Sequence, residues 1–317
     1  MNKKPYININ LASFIINSSG WGCIILYCLF TSISAVWISI SFTQINGVVL
    51  TFFTLLVAQI IFLIFSIITK QKTLNFIIKN KFIVFWLNIL TFTSWLFMFM
   101  ALQRIEASVE SAIYQGWIPI IVMLLGLYKG NHDWHKILGP LLITASISML
   151  ITARLYLDSN DHNINFSHLL EGIILASIAG STGGIYVFLS AKLREIVDAT
   201  TLNILTTRFI ILLIVTSFLA HEQLFIITTT DLYSLLRLVF LSIIFVVIPI
   251  FCLQHAILRL GAERVSILTP LVPVVALTAE YFVSPWNNFW VPFLIGLVSL
   301  SLIISNVLMN VKLQNIK

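Results

Sequence analysis

Long apolar stretches alternate with short polar breaks along the whole chain, and no polar segment of domain size lies between them. Each stretch is about as long as the ~20 residues that an α-helix needs to cross a ~30 Å hydrocarbon core. Ten membrane helices are predicted, at 21–42, 47–69, 82–101, 107–128, 136–155, 170–190, 200–220, 235–255, 263–284 and 289–310. Outside them lie a tail over 1–20, a connecting loop over 156–169 and a second tail over 311–317.

The pattern of breaks repeats. "ALQRIEASVESAIYQGWIP" (Ala101 to Pro119) is echoed by "AILRLGAERVSILTPLVP" (Ala256 to Pro273), 155 positions further on. Gly22 and Gly172 open matching runs 150 apart, Phe53 and Phe209 follow matching polar entries 156 apart, and Gly139 and Gly296 close matching runs 157 apart. Four pairs in the same order divide the chain into two five-helix halves, 21–155 and 170–310. An odd number of crossings per half turns the second half upside down, which predicts an inverted-topology repeat.

Composition and charge sharpen this picture. Hydrophobic residues make up 59% of the chain and charged ones 9%, and the mean hydropathy is +1.02, so a soluble domain is excluded. Lys3 and Lys4 precede apolar residues, yet no small-residue cleavage site follows, and the segment reads as a retained tail. With the N-terminus inside, fourteen of the eighteen basic residues fall on the cytoplasmic side. Arg104, Arg154 and Arg237 fall at outer helix ends, and Arg208 falls within the seventh span. The formal charge of +6 then reflects topology rather than a nucleic-acid surface. Cys23, Cys28 and Cys252 all lie in apolar runs and imply neither disulfides nor a metal cluster.

These features resemble the ten-helix EamA-type members of the drug/metabolite transporter superfamily. The hairpin pattern of that family is similar to Ala101–Pro119 and Ala256–Pro273, and its sixth-helix pattern is similar to Gly172, Ala176, Tyr186, Val187, Leu189, Ser190 and Lys192. Trp21 and Gly22 resemble its Trp-Gly opening, and Arg208 stands where its seventh helix often carries an arginine. The chain departs from the family at the ends of the fourth and ninth helices, which lack the usual Leu-Gly-Glu. No role is carried over at those ends. The resemblance implies two EamA-like repeats, a central cavity and alternating access between the two faces.

Ionisable side chains within spans are the leading site candidates, because a charge in hydrocarbon costs about 2.5–3.5 kcal/mol and must be paired or face water. Glu280 and Glu110 enter the ninth and fourth helices to similar depth, on helices that face each other in the family. Together they would receive a cationic group or a proton, and the alternative is neutralisation by Arg104, Arg154 or Arg237. Tyr114, Gln115 and Trp117 follow Glu110 on the same helix, with Trp95 and Tyr186 as further aromatic wall. Arg208, Pro119, Pro273 and His255 are assigned structural or gating roles, the prolines because they interrupt helical hydrogen bonding.

"HDWH" (His132 to His135) and "DSNDHNINFSH" (Asp158 to His168) read as solvated loops without a fixed metal-ligand set. No HExxH, G-x-S-x-G or Walker sequence occurs, which argues against a membrane enzyme. The expected function is secondary active transport of a small polar or zwitterionic metabolite, such as an amino acid, across the inner membrane. Export is the expected direction, with no cofactor, with protons as a candidate coupling ion, and as a monomer or homodimer. The alternatives are a metabolite importer, for example of S-adenosylmethionine, and a multidrug or lipid-carrier translocator.

Overall fold

The computed structural model describes residues 11–71, 73–128, 134–159, 166–197, 200–222, 232–260, 265, 268–284, 286 and 288–314. All regular elements among them are helices. The first half contains α1 (Leu11–Ser41), α2 (Gly47–Ile68), the short α3 (Thr73–Lys79), α4 (Lys81–Leu102), α5 (Ala107–Tyr128) and α6 (Trp134–Ser159). The second contains α7 (Phe166–Val197), α8 (Thr201–Thr207), α9 (Ile210–Leu219), α10 (Leu232–Leu241), a π-helical turn (Ser242–Val247), α11 (Ile248–Leu260), α12 (Leu271–Val283) and α13 (Trp290–Gln314).

Among the described residues nine helical spans are long and apolar enough to cross a membrane, rather than ten. The difference lies in the ninth expected span, 263–284, whose described part from Leu271 on is the 13-residue α12. Pro270 occupies its N-cap position, so the helix starts after it. Several helices overrun the expected limits. α1 begins at Leu11 within the expected tail, α6 continues to Ser159 and α7 starts at Phe166 within the expected loop, and α13 runs to Gln314. Hydropathy marks only the apolar middle of a helix, whereas the backbone hydrogen bonds continue through polar residues past it.

Two spans depart from regular α geometry. The seventh is divided at Arg208–Phe209, between α8 and α9. The eighth widens to a π turn, in which the N–H of Ile248 donates to the carbonyl of Ile243, five residues back. Pro249 follows at once. Its ring lacks a donor and crowds the carbonyl four residues earlier, and a wider turn relieves that clash.

The two halves interlock. α1 lies against α11 and α12, α4 against α7, α5 against α7 and α12, and α6 against α13, so each of these contacts joins one half to the other. Lipid offers no hydrophobic driving force between helices, and small residues and hydrogen bonds take its place. Gly139 of α6 brings the backbones together, since a Cβ there would stand 2.7 Å from Ser305 Cα of α13. About two turns further along α6, Ser146 shares a hydrogen bond of 2.8 Å with Ser301 of α13. The Ser32 hydroxyl of α1 donates to Val272 O of α12 at 2.9 Å, and the Ser94 hydroxyl of α4 donates to Ala179 O of α7 at 3.1 Å. Outward-facing side chains such as Ile67, Phe218 and Phe282 are exposed and apolar, as a hydrocarbon solvent requires.

Candidate functional site

The first turn of α5 leaves backbone N–H groups without acceptors inside the bundle. Glu280, near the end of α12, supplies them: the Ser108 N–H donates to one carboxylate oxygen at 3.0 Å and the Ser108 hydroxyl donates to the other. A buried anion at a helix N-terminus also meets the positive end of the helix dipole. The residue before the helix, Glu106, is held by Arg154 of α6 at 2.6 Å. Arg104 pairs with Glu171 of α7 at 3.0 Å, and Arg237 lies 5.0 Å from the centre of the Phe42 ring. The three arginines therefore do not neutralise Glu280 or Glu110 in the way that charge counting allows. The two acids are not a close pair either, because the carboxylate within electrostatic reach of Glu280 is Glu106.

Glu110 lies one turn into α5 and is only 3% exposed. One carboxylate oxygen receives a long contact of 3.4 Å from the Ser111 hydroxyl, and the other has no hydrogen-bond partner. Tyr114 is the next residue on this face of the helix, four positions on. Its hydroxyl shares a hydrogen bond of 3.2 Å with Ser94 of α4. It also rests on α7 at Gly183, where a Cβ would meet it at 2.8 Å, while a Cβ at Gly180 would meet the Tyr114 carbonyl oxygen at 2.6 Å. Glycine at these two positions lets α7 approach α5 closely enough to bury the tyrosine. Tyr27 of α1, also buried, faces Gln115 and stands within electrostatic reach of Glu110 and Tyr114.

Arg208 closes the far side of this polar layer. It is 7% exposed, and its guanidinium carbon stands 4.2 Å above the Tyr186 ring of α7 and 5.0 Å from the Phe209 ring. The break between α8 and α9 that carries it is stabilised from two other helices. Gln59 of α2 donates to Thr206 O at 2.8 Å. Asn88 of α4 donates to Thr207 O at 2.6 Å and accepts from Ile211 N at 3.2 Å. A broken helix at membrane depth is tolerated only where its freed backbone groups find partners, and these two amides provide them. Neither amide was among the sequence candidates. Their signal was present, as uncharged polar residues isolated within the apolar runs 47–69 and 82–101, but nothing in the sequence links them to Arg208.

Residues 18–152 match the EamA-like transporter family, which covers α1 to α6 up to the last turns of α6. Among 18 solved chains that match, one crystal structure of a protein aligns with 96% of this chain and 99% of its own length, at a TM-score of 0.60 and 12% identity. At that identity the likeness is one of fold. No curated protein matches the sequence.

The remaining candidates lie around the polar layer rather than in it. Trp117 packs on Gly180 of α7, and its buried indole N–H has no acceptor. Trp95 is surrounded by Phe99, Phe209 and Phe245, with ring centres 6.0 to 6.4 Å away, and belongs to an apolar cluster. His255 stacks on Phe251 at the far part of α11. Pro119 lies inside a continuous α5, and its missing N–H leaves the Gln115 carbonyl without its usual donor. Pro273 does not interrupt a helix. It is the third residue of α12, in the first turn, where an N–H has no intrahelical acceptor to lose. Of the histidine clusters, His132 and residues 160–165 lie outside the described residues. No group of three or more metal-ligating side chains occurs among the described ones.

Proposed function

We propose that the chain is a secondary active transporter, built from two inverted five-helix repeats, that moves a small zwitterionic metabolite by alternating access. The helix contacts support the repeat: exchanging α1 with α7, α4 with α10–α11, α5 with α12 and α6 with α13 converts each major contact into another that is present. Thus α1 against α11 becomes α7 against α4, and α5 against α7 becomes α12 against α1. Two halves related in this way rock about a shared site and open it to one face at a time.

One observation carries the reading most. Glu110 is buried with an unpartnered carboxylate oxygen on α5, the helix that packs against both α7 and α12 of the other half. A desolvated polar group without a partner destabilises the fold unless a ligand or proton completes it. The surrounding tyrosines and Gln115 offer hydrogen bonds and aromatic faces, a mixture that suits a compact solute with charged and apolar parts. Glu280 then ties the two halves together at the α5 end, as a gate that opens when α12 moves away from Ser108.

Both termini are placed in the cytoplasm of a bacterial-type inner membrane, with export as the direction and protons as the coupling ion. Counterflow of labelled L-amino acids and S-adenosylmethionine into liposomes holding the purified protein tests the substrate class without assuming direction. Saturable exchange of either is expected. Exchange only of hydrophobic cations or lipid-linked sugars replaces this reading with drug efflux or lipid-carrier translocation. For topology, a cysteine at Asn160 is expected to react with an impermeant maleimide in intact cells while one at Asn75 does not.

A further inference from the structure

A groove of about 500 Å³ opens on the outside of the bundle, away from the polar layer around Glu110. It is lined by Trp37 of α1 and by Tyr233, Leu236, Arg237 and Phe240 of α10. Tyr233, Leu236 and Phe240 are exposed, so the groove faces outward rather than into the bundle. Its level in the membrane follows from the apolar spans. Arg237 is the third residue of the span Leu235–Ile257, and Trp37 lies four residues before the end of the span Ser19–Ser41. At a rise of about 1.5 Å per residue, both side chains leave their helices within about 6 Å of the same end of the hydrocarbon core. Phe240 lies almost one turn deeper than Arg237 and meets the Trp37 ring edge-on at 5.8 Å. A cation at the rim therefore stands over apolar walls.

Arg237 makes no ion pair within 4.0 Å with a described side chain, whereas Arg104 and Arg154 both do. Its guanidinium carbon stands 5.0 Å from the centre of the Phe42 ring and 5.8 Å from that of Tyr233. The two rings fix the position of the cation, yet they leave its fork of N–H donors to bind an anion in the plane of the group. At the boundary of a bilayer the abundant anion is a phosphodiester, and its acyl chains extend toward the core, the direction in which Leu236, Phe240 and Trp37 continue the groove. None of the five lining residues is acidic, so a headgroup that carries its own ammonium finds no partner for it there.

We propose that this groove binds a phospholipid with an anionic headgroup of the phosphatidylglycerol type, with Arg237 on the phosphate and an acyl chain along Leu236, Phe240 and Trp37. α1 and α10 come from different halves of the chain, so a lipid bound there touches both.

The test is native mass spectrometry of the full-length protein, freed of bound lipid in detergent and given an equal mixture of dioleoyl phosphatidylglycerol and dioleoyl phosphatidylcholine. One-lipid adducts of the wild type should favour phosphatidylglycerol about fivefold, the ratio that one basic side chain at a membrane surface supports. Arg237→Gln should bring the ratio to about twofold or less, and Arg237→Lys, which keeps the charge without the fork, should fall between. Lys79→Gln, which removes the same charge from exposed α3, should leave the ratio as it is. Phe240→Ala should weaken both lipids alike and preserve the ratio, because it removes only apolar wall. A wild type with no preference, a preference that survives Arg237→Gln, or an equal loss in Lys79→Gln overturns the site. Lipid adducts undiminished in Phe240→Ala take the chain out of the groove and overturn it too. Adducts with sn-glycerol 3-phosphate that depend on Arg237 give the cation to a soluble phosphate, and a dimer that phosphatidylglycerol displaces gives the groove to a second copy; either result overturns the lipid as its occupant.

Discussion

Glu280 and Glu110 are both buried acids on helices that touch, yet their surroundings are opposite. Glu280 has both oxygens engaged by Ser108 at the start of α5, and it acts as the anion that a buried helix N-terminus needs. Glu110, one turn into that same helix, has an oxygen with no partner. The contrast is repeated among the arginines, where Arg104 and Arg154 have ion pairs and Arg208 lies against the Tyr186 and Phe209 rings, with no ion pair among the described residues. Satisfied charges hold the bundle together, and the unsatisfied ones are the candidates for contact with a ligand or proton. Burial alone does not separate the two kinds, since all five groups are largely inside.

The comparison can be broken most readily at its satisfied end. Glu280→Ala leaves the first N–H groups of α5 buried without an acceptor, and a loss of about 3 kcal/mol is expected, the upper part of the range for hydrogen bonds to a charged group. Thermal unfolding of the detergent-solubilised protein measures it. Glu280→Gln keeps an acceptor for the Ser108 N–H and should lose about half as much. Melting temperatures unchanged in both variants would mean that the anion is not what holds α5 to α12.

Asn88→Ala tests the support beneath Arg208. It removes a donor to Thr207 O and an acceptor for Ile211 N, and should cost about 2 kcal/mol in the same unfolding assay. Transport should fall further than stability, because the position of Arg208 depends on that break. Equal transport by wild type and variant separates the break from the site.

Glu110→Gln should behave in the opposite way. Exchange is expected to be lost while stability shifts by less than about 1 kcal/mol, in either direction, because no strong partner is removed. A large destabilisation here would place Glu110 in the same structural class as Glu280. The smallest effect is expected for Glu171→Gln, which removes only the half-exposed pair with Arg104 and should change stability by less than about 1 kcal/mol, with transport unaltered.

Much of this was legible in the one-dimensional pattern. The hydrophobic periods gave membrane helices whose middles agree with the described ones, because a hydrocarbon solvent leaves the helix as the main way to satisfy a backbone that crosses it. Motifs that resemble those of the EamA-type family were visible, and so were Glu110, Tyr114 and Gln115 as polar residues on one predicted helix. What a side chain meets across the bundle was not legible. Ser108 and Glu280 are separated by 172 positions, and Asn88 and Thr207 by 119, so no local rule connects them. Nor does hydropathy distinguish a span that runs on from one that breaks at Arg208 or has a helix start at Pro270, because both kinds are equally apolar.

By itself, then, the sequence determined the solvent: the helical spans, their approximate limits and which residues are costly to place in lipid follow from composition and the geometry of a single helix. The tertiary structure alone decided the fate of each costly residue. Glu280 became a helix cap, Arg104 and Arg154 became ion pairs, and Glu110 and Arg208 were left facing one polar layer across Tyr114. The physical reason is that the free energy of a buried charge depends on the few ångströms around it, and those neighbours come from other helices whose approach is fixed only when small residues such as Gly180 and Gly183 let them close.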